Sequence, residues 1–308
     1  MSNIVFFGAS VTQQKEGYVH FFDKLVNREN YNLIQRGYGS MHLDDAGICF
    51  IDDIILENPN YCYIDWFSTG FIAKNEKILY IYLDVIVRKL LLINCKIVFL
   101  LFDRADMSDE RLKMYNNVIL YANKYNIDYI ELYNNENISD LLRDNVHTTI
   151  LGSQVYGTKI YEHFLENIIN KDTISLINIP LENKYSDIKK ITVDKVVNDN
   201  IILKGDFEIV GIYQTIGPFS GLCEIDTNGD KKIFNIWDQW CRYKRKNIKI
   251  TISERNQSCK IKVLQDSFDT TLCKIKDICF DSIKKYMEIH YIFYIGELEI
   301  DSIDNMLF

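Results

Sequence analysis

Residues 3–12 read NIVFFGASVT, an apolar run that ends in a Gly-x-Ser turn and is followed by amphipathic sequence. A continuous apolar run of this kind is typical of a parallel strand buried on both faces. Such a strand places the hydroxyl of Ser10 at the carboxyl edge of the sheet, where α/β proteins bind their ligands. Because a serine becomes a nucleophile only beside a base, Ser10 needs a partner histidine elsewhere in the chain.

The best candidate partner is His147, which lies in the run RDNVHTT at residues 143–149. The chain has 43 acids and 5 histidines, so an acid three residues before a histidine is a weak signal by itself. Its position between the fifth predicted strand and the last predicted helix places the motif at the same sheet edge as Ser10. There His147 would take the proton of Ser10, and Asp144 would fix the imidazole tautomer and stabilise the imidazolium.

Strand-like apolar runs alternate with helical patterns through residues 1–170. The strands are predicted at 4–7, 31–35, 61–65, 96–102 and 127–132, and the helices at 18–26, 43–56, 76–93, 108–124 and 153–169. This alternation predicts a parallel sheet covered by helices on both faces, a flavodoxin-like three-layer α/β domain.

The pattern changes near Lys171, and residues 171–308 contain short apolar runs separated by turn signals such as KGD at 204–206 and TNGD at 227–230. These features predict a second, all-β domain of the sandwich type. The stretch IWDQWCRY at 236–243 combines aromatic with polar side chains, as carbohydrate-binding surfaces do. A sandwich core with buried tryptophans would explain the same stretch.

Composition excludes several classes of partner. With a net charge of −8, the chain has no basic surplus for nucleic acid or an anionic membrane surface. No apolar run reaches the roughly 18 residues that a membrane-spanning helix needs, so membrane insertion is not expected. The 8 cysteines form no CxxC pair, which argues against a zinc site. With no secretion signal in view, we expect a reduced, cytoplasmic protein.

Two further loops carry candidate oxyanion donors. RGYGS at 36–40 follows the second predicted strand, and a glycine there would let a substrate approach main-chain N–H groups. DWFSTG at 65–70 follows the third, and its polar side chains could supply another donor. Trp66 could form a wall of the substrate site, and His42 could contact the substrate. The first loop could equally be a plain turn, and Asp65 could simply anchor the second.

In this order, the four elements resemble the SGNH (GDSL-type) hydrolase family of esterases and acyltransferases, over residues 1–170. The segment GAS at 8–10 matches the nucleophile block, with Ala9 where the family usually has aspartate. Gly39, or less well Gly37, matches the glycine whose N–H lines the oxyanion hole. Asp144 and His147 match the terminal block, in which the acid and the base share one short motif.

The third family block differs here. The family usually carries Gly-x-Asn-Asp, whose asparagine donates to the oxyanion, whereas this chain reads WFSTG at 66–70. Ser68 or Thr69 would have to replace that donor with a hydroxyl. Loss of one oxyanion donor typically costs about 10²- to 10³-fold in rate. Either the hole is rebuilt, or water is not the acceptor, or the enzyme has lapsed.

The sequence therefore predicts a serine-dependent O-acyl esterase or O-acyltransferase, with acetyl on a carbohydrate as the group that the resemblance favours. Ser10 would form the acyl-enzyme, and the amides of Ser10 and Gly39 would hold the oxyanion. The substrate would be a small-molecule or glycan ester, with an acyl donor if the enzyme is a transferase and with no metal or cofactor. Two rival hypotheses are a non-catalytic glycan-binding protein on a lapsed hydrolase scaffold and a flavodoxin-like nucleotide or flavin binder.

Overall fold

A computed structural model describes residues 1–133, 138–169, 179–237, 243–265 and 283–304. The chain divides into two compact units, Met1–Ser186 and Asp187–Phe308. The predicted change of pattern near Lys171 falls outside the described residues, and the division into units falls later in the chain.

The first unit contains one parallel five-stranded sheet with the strand order β2-β1-β3-β4-β5. The five predicted strands are all present: the three central ones are apolar runs buried between helices, and the two outer ones are only partly buried. The strands are β1 (Ser2–Gly8), β2 (Tyr31–Gly37), β3 (Tyr61–Asp65), β4 (Lys96–Phe102) and β5 (Asp128–Leu132).

The register of the sheet aligns the ends of its three neighbouring strands. Gly8 of β1 lies opposite Gly37 of β2 on one side and opposite Asp65 of β3 on the other. The three segments that follow these strands therefore leave the sheet side by side, at its carboxyl edge.

Helices connect the strands in the first unit. They are α1 (Ser10–Gln13), α2 (Tyr18–Leu25), α3 (Ile51–Leu56), α4 (Glu76–Leu92), α5 (Asp109–Tyr125), α6 (Ile138–Leu141) and α7 (Ile150–Ile169). The helix predicted over 43–56 is instead divided into a π-helical turn, Leu43–Gly47, and α3. The Asn75 and Ser108 side chains cap α4 and α5 by accepting main-chain N–H bonds. None of the described helices is long and apolar enough to cross a lipid bilayer.

One apolar core of this unit lies between the sheet and the helices α2 and α7. Phe6 of β1 stacks on Tyr63 of β3 with ring centroids 4.9 Å apart, and Phe22 of α2 packs edge-on against Phe6. Fully burying side chains of this size stabilises a fold by about 1.5–3 kcal/mol each. This packing fixes β1, and with it the segment that carries Ser10.

The second unit is all-β, as the sequence predicts. Seven strands in its described segments form one antiparallel sheet with the order β6-β12-β7-β11-β8-β9, and β10 pairs with β7. The strands are β6 (Lys189–Val197), β7 (Asn200–Ile216), β8 (Leu222–Thr227), β9 (Asp230–Asn235), β10 (Arg245–Ile248), β11 (Ile252–Leu264) and β12 (Met287–Asp304). A 3-10 turn spans Lys184–Asp187.

The predicted turn at 204–206 is wrong, because those residues lie inside β7. Gly205 has φ +134° and pairs with Leu298 of β12, and Gly296 of β12 has φ +98° and pairs with Phe207. A Cβ at either glycine would collide with a carbonyl oxygen of the opposite strand. Together with the register shifts in β12, these glycines let the two long strands bend around a single apolar core.

The second predicted turn is confirmed, because Asn228 and Gly229, both with positive φ, join β8 to β9 in a tight hairpin. In the aromatic stretch at 236–243, Ile236 and Trp237 are buried, as the core interpretation predicts. Residues 238–242 lie outside the described residues.

Candidate active site

Ser10 is the first residue of α1 and follows directly on the turn after β1. The turn is held on both sides: the N–H of Ala9 donates to the carbonyl of Asp65 (2.9 Å), and the N–H of Tyr38 donates to the carbonyl of Gly8 (2.8 Å). A Cβ at Gly8 would collide with Asp65, so only glycine allows the nucleophile turn to lie this close to β3.

The structure brings Ser10, His147 and Asp144 into one chain of hydrogen bonds. His147 Nε2 lies 3.0 Å from Ser10 Oγ, although the two residues are 137 positions apart in sequence. His147 Nδ1 lies 2.8 Å from Asp144 Oδ2. With Asp144 accepting the Nδ1 proton, the lone pair of Nε2 faces the serine hydroxyl, which is the arrangement that a general base requires.

Asp144 is held as an anion by its own loop. Burial acts to raise its pKa, but hydrogen bonds from the main-chain N–H groups of His147 and Val146, and then from the imidazole, outweigh burial and lower the pKa. Asp144 Oδ1 accepts both N–H groups, at 2.8 and 2.9 Å. The carboxylate is therefore charged at neutral pH and is fixed in the orientation that meets His147.

Gln14 connects the two halves of this arrangement and is absent from the sequence prediction. Its side-chain N–H donates to the carbonyl of Thr148 (2.9 Å), and its side-chain oxygen accepts from the Thr148 hydroxyl (3.1 Å). Gln14 lies four residues after Ser10 and Thr148 directly follows His147, so this pair of bonds ties the nucleophile segment to the base loop. An open groove of about 690 Å³ lies beside the tie, lined by residues 14–16, 143 and 148–150.

Gly39 and Gly37 lie against the segment that carries Ser10. A Cβ at Gly39 would collide with the Gln13 side chain, and one at Gly37 would collide with the Gln13 main chain. No described residue accepts a hydrogen bond from the Gly39 N–H, and the N–H of Ser10 opens a helix, where intrahelical acceptors are absent. Both predicted oxyanion amides therefore stay candidates.

His42 lies beside the loop at 66–70, since its Cε1 is 3.7 Å from where a Cβ of Gly70 would be. It is half-buried, and its predicted contact with substrate stays a prediction.

Trp66 does not form a wall of the site. Its side chain is 0% exposed, packs edge-on against Phe7 with centroids 5.1 Å apart, and stacks near Tyr38. The sequence prediction of a substrate contact here is wrong, because the residue after β3 points into the core beneath the loops.

Neither the Ser68 hydroxyl nor the Thr69 hydroxyl is presented to a substrate. Thr69 Oγ1 donates to the carbonyl of Trp66 (3.2 Å) and accepts the N–H of Phe71 (3.1 Å). Ser68 is 1% exposed, so its hydroxyl is buried within the loop and is not open to a substrate. The predicted replacement of the asparagine by one of these hydroxyls is therefore contradicted.

Asp65 anchors this loop and the nucleophile turn together. Its Oδ2 accepts the Thr12 hydroxyl (3.0 Å), which in turn accepts from Tyr18 OH (2.8 Å). Complete burial raises the pKa of Asp65 to about 7, although the hydrogen bond from Thr12 acts in the opposite direction. This supports the anchoring interpretation of Asp65.

Two arginines beside the loop were not found from the sequence. Arg104 forms a two-point ion pair with Asp106 (2.7 and 2.9 Å) and donates from Nη1 to the carbonyls of Ser68 and Thr69. Arg111 Nη1 donates to the carbonyl of Phe67 (2.8 Å). One sequence feature could have indicated Arg104: it is a charged residue shortly after the end of the apolar strand β4.

No protein-family model matches the chain, and no curated protein sequence matches it. A two-domain esterase active on acetylated mannans superposes with TM-score 0.66 at 13% identity, covering 97% of this chain and 92% of that one. An acetyl xylan esterase (TM-score 0.45, 21% identity) covers 52% of this chain and 98% of its own. A lipase/acylhydrolase from Enterococcus faecalis (TM-score 0.46, 15% identity) covers 54% and 97%. The first likeness confirms the predicted fold, an α/β domain followed by an all-β domain.

Proposed function

We propose that this chain, which shares the two-domain fold of an esterase active on acetylated mannans, is itself a serine-dependent esterase that removes O-acetyl groups from a carbohydrate. The observation that carries the proposal is the hydrogen-bonded series Ser10, His147 and Asp144, built from two distant segments. The shared fold and the family resemblance support acetyl and carbohydrate as the chemical classes.

In the first half of the proposed reaction, Ser10 Oγ attacks the ester carbonyl carbon while His147 Nε2 takes the hydroxyl proton. The resulting tetrahedral intermediate carries its negative charge on the former carbonyl oxygen. When it collapses, the bond to the sugar oxygen breaks and His147 returns the proton to that oxygen. The products are a free sugar hydroxyl and acetylated Ser10.

In the second half, water attacks the acetylated serine and His147 takes a proton from the water. Collapse of the second intermediate releases acetate and returns the proton to Ser10 Oγ. Asp144 stabilises the imidazolium that forms in each half, and its lowered pKa keeps it charged while it does so. If a sugar hydroxyl takes the place of water, the same acyl-enzyme supports transfer, so an acyltransferase remains the alternative.

Hydrolysis of 4-nitrophenyl acetate and acetylated manno-oligosaccharides by wild type, Ser10→Ala and His147→Ala tests this proposal. We expect both variants to lose more than about 10³-fold in kcat, because the nucleophile and its base act as one unit. His20→Ala is the matched control, since His20 is a half-buried histidine of α2 that packs against Phe21.

Labelling by a fluorophosphonate completes the test, with the modified peptide identified by mass spectrometry. Wild type should be labelled at Ser10, and His147→Ala should be labelled far more slowly. An unlabelled and inactive wild type that still binds sugars would favour the non-catalytic glycan-binding hypothesis instead.

A further inference from the structure

The loop at residues 66–69 directs four successive carbonyl oxygens toward side-chain donors. The Thr69 hydroxyl donates to the carbonyl of residue 66. Arg111 and Tyr115 donate to the carbonyl of residue 67. Arg104 donates to the carbonyls of residues 68 and 69. Arg111 is 3% exposed and Arg104 is 9% exposed, so these contacts are shielded from water. The orientation of each peptide in the loop is therefore fixed.

Peptide planarity determines what the opposite side of the loop presents. In a trans peptide the carbonyl and the following N–H point in opposite directions. The carbonyl of Thr69 points at Arg104 Nη1 (3.3 Å), so the N–H of Gly70 points away from the arginine. Gly70 is exposed, lies next to His42, and donates its N–H to no acceptor in the described parts of the chain.

Arg104 also makes this N–H a better donor, because it binds the carbonyl of the same peptide. A guanidinium that binds a carbonyl polarises the peptide, which strengthens the hydrogen bond donated by the N–H of the same peptide. Arg104 is paired with Asp106, whereas Arg111 makes no direct ion pair with a carboxylate among the described residues, and Asp106 attracts it only from a greater distance. A buried guanidinium without a directly bonded carboxylate suits a place where negative charge forms transiently.

The loop begins beside the nucleophile. Asp65 pairs with Gly8 in the sheet, and its carbonyl accepts the N–H of Ala9, so the segment after Asp65 leaves the sheet next to Ser10. The Thr69 hydroxyl donates its proton to the carbonyl of Trp66, and Ser68 is buried at 1% exposure, which leaves the main chain as the source of a donor in this loop.

We propose that the main-chain N–H of Gly70 replaces the asparagine of the family as the third oxyanion donor, and that Arg104 and Arg111 are positioning residues that hold and polarise the loop. This inference rests on the proposed function, because it names a donor for the intermediate formed at Ser10. It also accounts for an esterase whose sequence lacks the expected asparagine.

A pair of substitutions at Gly70 tests the donor directly. A Cβ at Gly70 meets only His42, at 3.7 Å, so Gly70→Ala keeps the N–H without a clash, whereas Gly70→Pro removes it. We expect Gly70→Ala to keep kcat within about threefold and Gly70→Pro to lose about 10²-fold in kcat with little change in KM. Ser68→Ala should behave like Gly70→Ala.

Chemical rescue tests the arginine, and it also serves if Gly70→Pro fails to fold. Arg104→Ala should lose at least about tenfold in kcat at an unchanged KM, and millimolar guanidinium should restore part of that loss. Arg28→Ala is the matched control, since Arg28 forms an exposed ion pair with Asp23 away from the site. It should show neither the loss nor the rescue.

The outcomes separate the two proposals. Wild type that is active and labelled at Ser10, with Gly70→Pro as fast as Gly70→Ala, would overturn this inference alone. So would a loss in Ser68→Ala as large as that in Gly70→Pro, or an Arg104→Ala variant that changes only in thermal stability. An inactive, unlabelled wild type would overturn the proposed function and this inference with it.

Discussion

At the scale of single residues, Asp65 gives the molecule a pH-dependent stability. Burial raises its folded-state pKa from 3.8 to about 7, even though the Thr12 hydroxyl donates a hydrogen bond to it. The folded protein thus binds this proton more tightly than the unfolded chain does. The stabilisation of the fold by this bound proton is fully present below the pKa that Asp65 has in the unfolded chain, and it is lost as the pH rises through about 7.

We therefore expect Asp65→Asn to reduce the loss of stability between about pH 5 and about pH 8. Asparagine keeps the size of the side chain and an oxygen to accept the Thr12 hydroxyl, but it carries no charge at the higher pH. Urea unfolding of both proteins at the two pH values measures the effect. Asp52→Asn serves as the exposed control. If the free energies of unfolding of wild type and Asp65→Asn differed by the same amount at both pH values, this account would be contradicted.

At the scale of elements, the tie between α1 and the base loop keeps the nucleophile and the base in register. Gln14→Ala removes both hydrogen bonds to Thr148 while leaving Ser10, His147 and Asp144 unchanged. We expect about a tenfold lower kcat with a nearly unchanged KM, since misplacing a base costs the transition state more than the bound substrate. Gln14→Glu, which keeps one of the two bonds, should fall between Gln14→Ala and wild type.

The adjacent Lys15→Ala serves as a control for Gln14, because Lys15 is exposed. Steady-state kinetics on an acetylated substrate would measure all three variants. A higher KM at constant kcat in Gln14→Ala would show that the side chain binds substrate instead of positioning the base.

The bend in the second unit makes a separate prediction about its strands. Gly205→Ala would combine a positive φ with a collision against the carbonyl of Glu297 on β12. Gly229→Ala shares the positive φ but meets no atom within 4 Å. We expect Gly229→Ala to cost about 1 kcal/mol in the free energy of unfolding and Gly205→Ala clearly more. Equal unfolding midpoints in urea would show that β7 can relax around the added methyl group.

At the scale of the whole molecule, local pattern predicted the first unit better than the second. The three central strands of the parallel sheet are buried apolar runs, and the residues that follow the strands gather at one edge whatever the details of the loops. That rule located Ser10, Asp144 and His147. It did not distinguish an inward-facing Trp66 from one that faces a substrate, because the residue lies where the strand periodicity ends.

Features that depend on tertiary contacts could not be predicted. Arg104 and Arg111 reach carbonyls 35 to 44 residues earlier in sequence, so no local pattern relates them to the loop. Likewise, Gly205 has the composition of a turn, and only its pairing with β12 makes it a bend inside a strand.

Among the described strands, the order of the antiparallel sheet places β6 and β9 at its two ends. An end strand offers unpaired main-chain groups to any other extended chain, which is a route to aggregation. Both end strands are rich in lysine: β6 carries Lys189, Lys190 and Lys195, and β9 carries Lys231 and Lys232. An incoming strand would have to desolvate these charges. The lysines therefore disfavour edge-to-edge pairing of the sheet with further copies of the chain.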